Sequence, residues 1–145
     1  MTKDVIVTIE GRQLDSDEMV MILKADGSYH LQHQKHFIQY EEPSESEGAV
    51  IKNLIKISPN RIEITKKGAA SSQMYFDLDQ NTEAIYHTPY GDLCFQVKTS
   101  QIFFEETENS ILARLEYALY TEDSHLSDHR TVIMIQAKTP IYHLH

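Results

Sequence analysis

Between Asn60 and Thr99 apolar residues return at every second position, and that rhythm restricts the possible folds more than any other feature of the chain. Ile62 and Ile64, Met74 and Phe76, and Leu93, Phe95 and Val97 alternate with polar or charged neighbours. Successive side chains of an extended strand point to opposite faces, so a period of two marks strands with one face buried. Leu93, Phe95 and Val97 are therefore expected inside, with Gln96 and Lys98 outside. Thr88-Pro89-Tyr90-Gly91 supplies a tight turn, because proline presets φ at the second turn position and glycine suits the fourth. Strands in tandem joined by short turns make an antiparallel meander.

The flanking segments continue the pattern. Val5, Val7 and Ile9 alternate in a first strand, and a polar turn over 13–18 follows it. Met19 to Leu23 is a continuous apolar run, which periodicity alone assigns to neither strand nor helix. Asp26-Gly27 favours a primed hairpin turn, so that run is expected to pair with Tyr29-His30-Leu31. Ile38, Tyr40 and Glu42 share one face of the next strand, which Pro43 ends by removing a ladder donor. Glu41, Glu42, Glu45 and Glu47 then make an acidic loop without the spacing or central glycine of a calcium loop. Val50–Ile57 is apolar again and turns at Pro59-Asn60. Ile102–Glu106 reads as a separate strand, and Glu108-Asn109-Ser110 as a hairpin turn. From Ser110 to Tyr120 helical spacing of Leu112, Leu115 and Leu119 competes with a strand face of Ile111, Ala113, Leu115, Tyr117 and Leu119. A lone helix beside a meander fits poorly, so the strand is expected. A polar loop over 121–129 and a last strand over 131–138 follow.

With 145 residues the chain has the size of a single domain, 1–145. A hydrophobic share of 41% against 24% charged residues argues for a packed core rather than disorder. The net charge of −9 opposes binding to nucleic acid or to an anionic membrane, and Lys66-Lys67 is the only adjacent basic pair. The opening residues do not read as a signal peptide, and no window approaches the ~18 apolar residues of a membrane span. Cys94 is the only cysteine, so no internal disulfide forms, and a cytoplasmic location is expected. So many strands must dispose of their edges. The expected fold class is all-β: a closed or nearly closed antiparallel up-and-down barrel, with a two-sheet sandwich as the competitor.

Several short motifs carry a resemblance: Ile64-Thr65-Lys66-Lys67-Gly68-Ala69, the Tyr86-x-Thr88-Pro89-Tyr90-Gly91-x-Leu93 turn, Thr99 beyond it, Leu115-Glu116-Tyr117-Ala118-Leu119 and Tyr40-Glu41-Glu42. Together they resemble the YwiB-like proteins of the bacterial family DUF1934, over nearly the whole chain. The resemblance implies a lipocalin-like (calycin) barrel, a cytoplasmic bacterial protein and no assigned activity. Lys66 departs from the arginine expected there; lysine keeps the charge but loses the planar fork for bidentate contacts.

No nucleophile elbow, metalloprotease helix, phosphate loop or dinucleotide fingerprint is present, and nothing calls for a cofactor. His125 and His129, or His143 and His145, offer only two ligands each, short of the three or four that zinc uses, so no metal is expected. His30, His33 and His36 cannot all share a strand face. His87 lies close in sequence to Cys94, but no acid is placed to orient it, and the cysteine reads as inert. Parity instead gathers Tyr40, Glu42, Lys66, Tyr86 and Tyr117 towards a barrel lumen. Apolar walls with a few convergent polar groups are what a small-molecule site requires. The expected function is a non-enzymatic carrier or sensor of a small polar or anionic ligand in the lumen. The alternative is an interaction module with a filled core, a Lys66–Glu42 pair at the mouth, and a protein partner or a second copy. An open lumen favours the first; a filled one with an uncovered strand edge favours the second.

Overall fold

The computed structural model describes residues 1–15, 20–43, 48–68 and 71–139. Ten strands follow one another: β1 (Asp4–Gln13), β2 (Val20–Gln32), β3 (Lys35–Pro43), β4 (Val50–Ser58), β5 (Arg61–Gly68), β6 (Ser71–Asp77), β7 (Thr82–Thr88), β8 (Gly91–Glu106), β9 (Ser110–Thr121) and β10 (Ser124–Ala137). Each pairs antiparallel with its neighbours in sequence, and β1 pairs with β10 to close the barrel. No described residue is helical, and Ser110–Tyr120 is strand.

Taking β1 as running upward, the short turns at Pro59-Asn60 and before Ser110 lie at the lower end, and the Pro89-Tyr90 turn at the upper. The alternation works as the sequence suggests over most of the barrel. Val5, Val7, Ile38, Ile55, Ile62, Phe76, Leu115, Ile133 and Ile135 are fully or almost fully buried. Every strand contributes at least one side chain to this one cluster, which packs the lower and middle interior, while inward-facing Ile64, Met74, Tyr86, Tyr117 and Leu119 nearer the upper end are only partly buried. Burying such side chains is worth about 1.5–3 kcal/mol each, the main force closing the sheet on itself.

Four expectations require correction. Asp26-Gly27 is not a turn: β2 runs straight through it. Gly27 is needed because a Cβ there would lie 2.7 Å from the Gln39 carbonyl oxygen and 2.9 Å from a Val7 methyl. The turn comes instead at His33-Gln34, whose φ values of 51° and 65° are both positive, as primed turns demand, without a glycine. In the same way Glu122 and Asp123, at φ 46° and 67°, reverse the chain, so most of the expected loop over 121–129 belongs to β10. The separate strand over Ile102–Glu106 is the lower half of β8, joined across a register shift at Ser100. Finally, Leu93 is 54% exposed and Phe95 half-buried, and only Val97 is enclosed. β9 joins β8 only from Gln96 onward, so the upper tip of β8 lacks its second neighbour.

β2 is the loosest part of the wall. It pairs with β1 over Val20–Ser28 and with β3 over Gly27–Gln32, and the two ladders overlap only at Gly27-Ser28. Above that point β2 and β3 part.

Candidate functional site

One lateral row of inward-facing residues crosses the upper barrel. Gly27 stands opposite Tyr40, Tyr40 opposite Asn53, Asn53 opposite Lys66, Lys66 opposite Ser72, Ser72 opposite Tyr86, and Tyr86 opposite Leu93. Of the five residues expected at a lumen site, Tyr40, Lys66 and Tyr86 lie on this row while Glu42 and Tyr117 lie off it, and the five fall into two groups.

The first group is polar. Lys66 Nζ donates to Glu42 Oε1 at 2.9 Å, and Asn53 Nδ2 donates to the same oxygen at 3.2 Å. Both partners are partly buried, with side chains 33% and 16% exposed. The lysine is thus neutralised within the protein, as the filled-core alternative anticipated. Tyr40 lies 5% exposed beside them, and burial, with a smaller push from the Glu42 carboxylate, holds its hydroxyl protonated far above the usual tyrosine range.

The second group is aromatic. The Tyr86 hydroxyl donates to Met74 Sδ at 3.4 Å, and its ring meets Phe95 edge-on. Tyr117 packs against Phe76 with centroids 4.7 Å apart and stacks on His129 at 5.2 Å. Burial raises the pKa of both tyrosines, so both stay neutral donors at any physiological pH.

Asn53 was not anticipated, yet it is the most informative residue of the row. It is 3% exposed, and Nδ2 donates to Glu42 Oε1 and to the Ile51 carbonyl at 3.3 Å. Those two acceptors fix the amide orientation, since a flip would set oxygen against oxygen. Oδ1 is then buried without a partner among the described residues. An unmet buried acceptor costs about 1–3 kcal/mol.

Asn53 and Tyr40 also help line a cleft of about 1110 Å³ where β2 and β3 part, extending over the outer face of β4 and β5. Five lysines and three carboxylates among the described residues line it. Among the described residues Lys138 pairs with Asp26 at 3.1 Å and Lys56 with Glu63 at 3.9 Å, whereas Lys24, Lys52 and Lys67 form no ion pair.

The remaining candidates stay apart. Cys94 is exposed, and an acid does reach His87, contrary to expectation: Asp92, directly across the β7–β8 ladder, lies 2.8 Å from its Nδ1. A register shift between His125 and Ser127 resets parity, which places His125 on the outside and His129 inside against Tyr117. The same shift brings His125 Nε2 to 2.9 Å from Asp128 Oδ1, with Asp15 beside them. Glu45, Glu47, His143 and His145 lie outside the described residues.

A family model described as a domain of unknown function, DUF1934, matches residues 7–133. The chain belongs to the DUF1934 family. The "uncharacterized beta-barrel protein YwiB" of Bacillus subtilis (strain 168) is 22% identical over 125 residues, covering 86% of this chain and 87% of that relative. The crystal structure of YwiB from Bacillus subtilis superposes with a TM-score of 0.79 at 19% identity, over 94% of this chain and 93% of that one. At that identity the likeness shows a shared barrel fold.

A signal for Asn53 was present in the sequence: it shares strand parity with Ile51, Ile55 and Ile57, and a lone amide on an apolar face is conspicuous. The cleft had no such signal. It exists because two ladders end at different heights, which residue types alone do not reveal.

Proposed function

We propose that the protein is a non-enzymatic interaction module that meets another protein along the open edge of β2. One observation carries this reading: from Val20 to Asp26 the strand has a ladder partner on the β1 side alone among the described residues. There Val20, Met21 and Ile22 are 47%, 57% and 69% exposed. An unpaired row of backbone N–H and C=O groups is a template for a further strand, and exposed apolar side chains add to its pull. The packed lower interior supports the same reading. Capture from cell extract with the wild type and with Ile22→Lys tests it, because a charge on an edge strand blocks pairing. A partner held by the wild type and lost by the variant is expected; an identical captured set, or none, overturns the proposal.

The orphaned Asn53 Oδ1 favours a second reading, a carrier or sensor of a small polar or anionic molecule. Such a ligand would bring a hydrogen-bond donor to Asn53 from the cleft, with Tyr40, Glu42 and Lys66 around it and Tyr86 and Tyr117 further along the wall. A panel of small polar and anionic compounds should then raise the melting temperature of the wild type and not of Asn53→Leu. If no compound raises the wild type, this reading fails.

A further inference from the structure

We infer that the partner segment received at the β2 edge is acidic as well as extended. This rests on the edge reading above and adds the chemistry of what fills it. The chain as a whole carries −9, yet among the described residues the cleft beside the edge holds five lysines against three carboxylates. Lys52 and Lys67 stand directly opposite each other on the outer faces of β4 and β5, both exposed. Like charges in that position are unfavourable, and no described carboxylate forms an ion pair with either. Glu41 flanks Lys52 on β3 without pairing with it, and Lys24, on β2 itself, forms no ion pair with a described residue. Among the described residues, lysines without an ion-pair partner thus line the cleft that opens beside β2 in a chain that is otherwise anionic.

Side chains of an added strand face outward at every second position. Acids at those positions meet the lysines, and apolar residues between them turn towards the gap above Gly27. Nucleic acid fits less well. Tyr40, the one aromatic among the described residues that line the cleft, is buried and offers no stacking face, and backbone pairing has no counterpart in a phosphate chain. A second copy of the chain brings its own large negative charge but the same lysines to the edge, so the match is poor.

The test uses the full chain and a short alternating Val–Glu peptide, with an alternating Val–Thr peptide and a single-stranded DNA oligomer as comparators. The Val–Glu peptide should bind best, and Lys52→Glu should weaken it on the order of tenfold. The same variant should melt close to the wild type, because the attraction it gains towards Lys67 is offset by the repulsion it meets from Glu41 on β3; binding lost while stability holds is not what a structural role produces. Equal binding of the two peptides overturns the acidic specificity and leaves the edge reading standing. Binding of neither overturns both. DNA binding that depends on Lys52, in the absence of peptide binding, assigns the cleft to nucleic acid instead. A dimer that Ile22→Lys dissociates assigns the edge to a second copy.

Discussion

β9 and β2 are written in similar residues and end in different environments. Both carry apolar side chains at alternate inward positions, Ile111, Ala113 and Leu115 in one and Met21, Leu23 and Ala25 in the other. The three on β9 are 0% exposed, whereas Met21 is 57% exposed and its two companions are half-buried. The difference lies in the ladders. Over Leu112–Glu116 β9 has a partner on each side, β8 and β10, while β2 above Gly27 has only β1 among the described residues. An apolar side chain becomes core only where the strands on both sides continue past it. Where one stops, the same pattern becomes a surface.

Truncation measures that contrast most strongly. Leu115→Ala should cost about 2–5 kcal/mol in denaturant melts, since the site is fully enclosed. Met21→Ala should stay within about 0.5 kcal/mol. Phe95, half-buried on the projecting tip of β8, belongs between them. Equal losses at Leu115 and Met21 would mean that the β2 edge is covered in solution.

The same contrast marks what the sequence could and could not disclose. Period-two alternation identified β1, β3, β5 and β9 and their inward faces, because it follows directly from strand geometry. It also brought Tyr40, Glu42 and Lys66 together, and the Glu42–Lys66 pair was foreseen as an alternative. Asp26-Gly27 misled because a glycine demanded by close backbone approach looks, in one dimension, like a glycine demanded by a turn. The true reversals at His33-Gln34 and Glu122-Asp123 lack glycine and were hidden. A bulge also hides from parity, as between His125 and His129, whose even spacing would put them on one face and whose register shift puts them on opposite ones. Leu93 and Phe95 were assigned the correct face and the wrong burial, because burial depends on where neighbouring strands end.

The open side is tied by polar contacts where the closed side is tied by apolar ones. Lys66→Met should therefore cost about 1–2 kcal/mol, less than a fully buried ion pair, because both side chains keep some contact with water. A loss near zero in thermal or denaturant melts would show the pair to be incidental to the upper wall.

A smaller effect comes from the lower end. Tyr29 Oη and His36 Nδ1 lie 2.7 Å apart, and His36 is 8% exposed. Burial lowers the His36 pKa, and Glu106, 3.4 Å from Nε2, opposes that only partly. The folded state therefore takes up this proton less readily than the unfolded chain. The associated stability is complete above the unfolded value of about 6.5 and declines as pH falls through the lower folded value. His36→Phe should flatten the fall in melting temperature between pH 7 and pH 5. An unchanged slope would assign that fall to other groups.

The central claim is that β2 is a one-sided strand above Gly27, and residue-resolved amide hydrogen exchange tests it most directly. Alternate amides from Val20 to Asp26 point away from β1 and should exchange close to the rate of an unstructured chain, while those between them are protected. Over Leu112–Glu116 of β9 every amide should be slow. If all the amides of Val20–Asp26 prove as protected as those of β9, the edge is covered and both the interaction reading and its acidic partner fall with it.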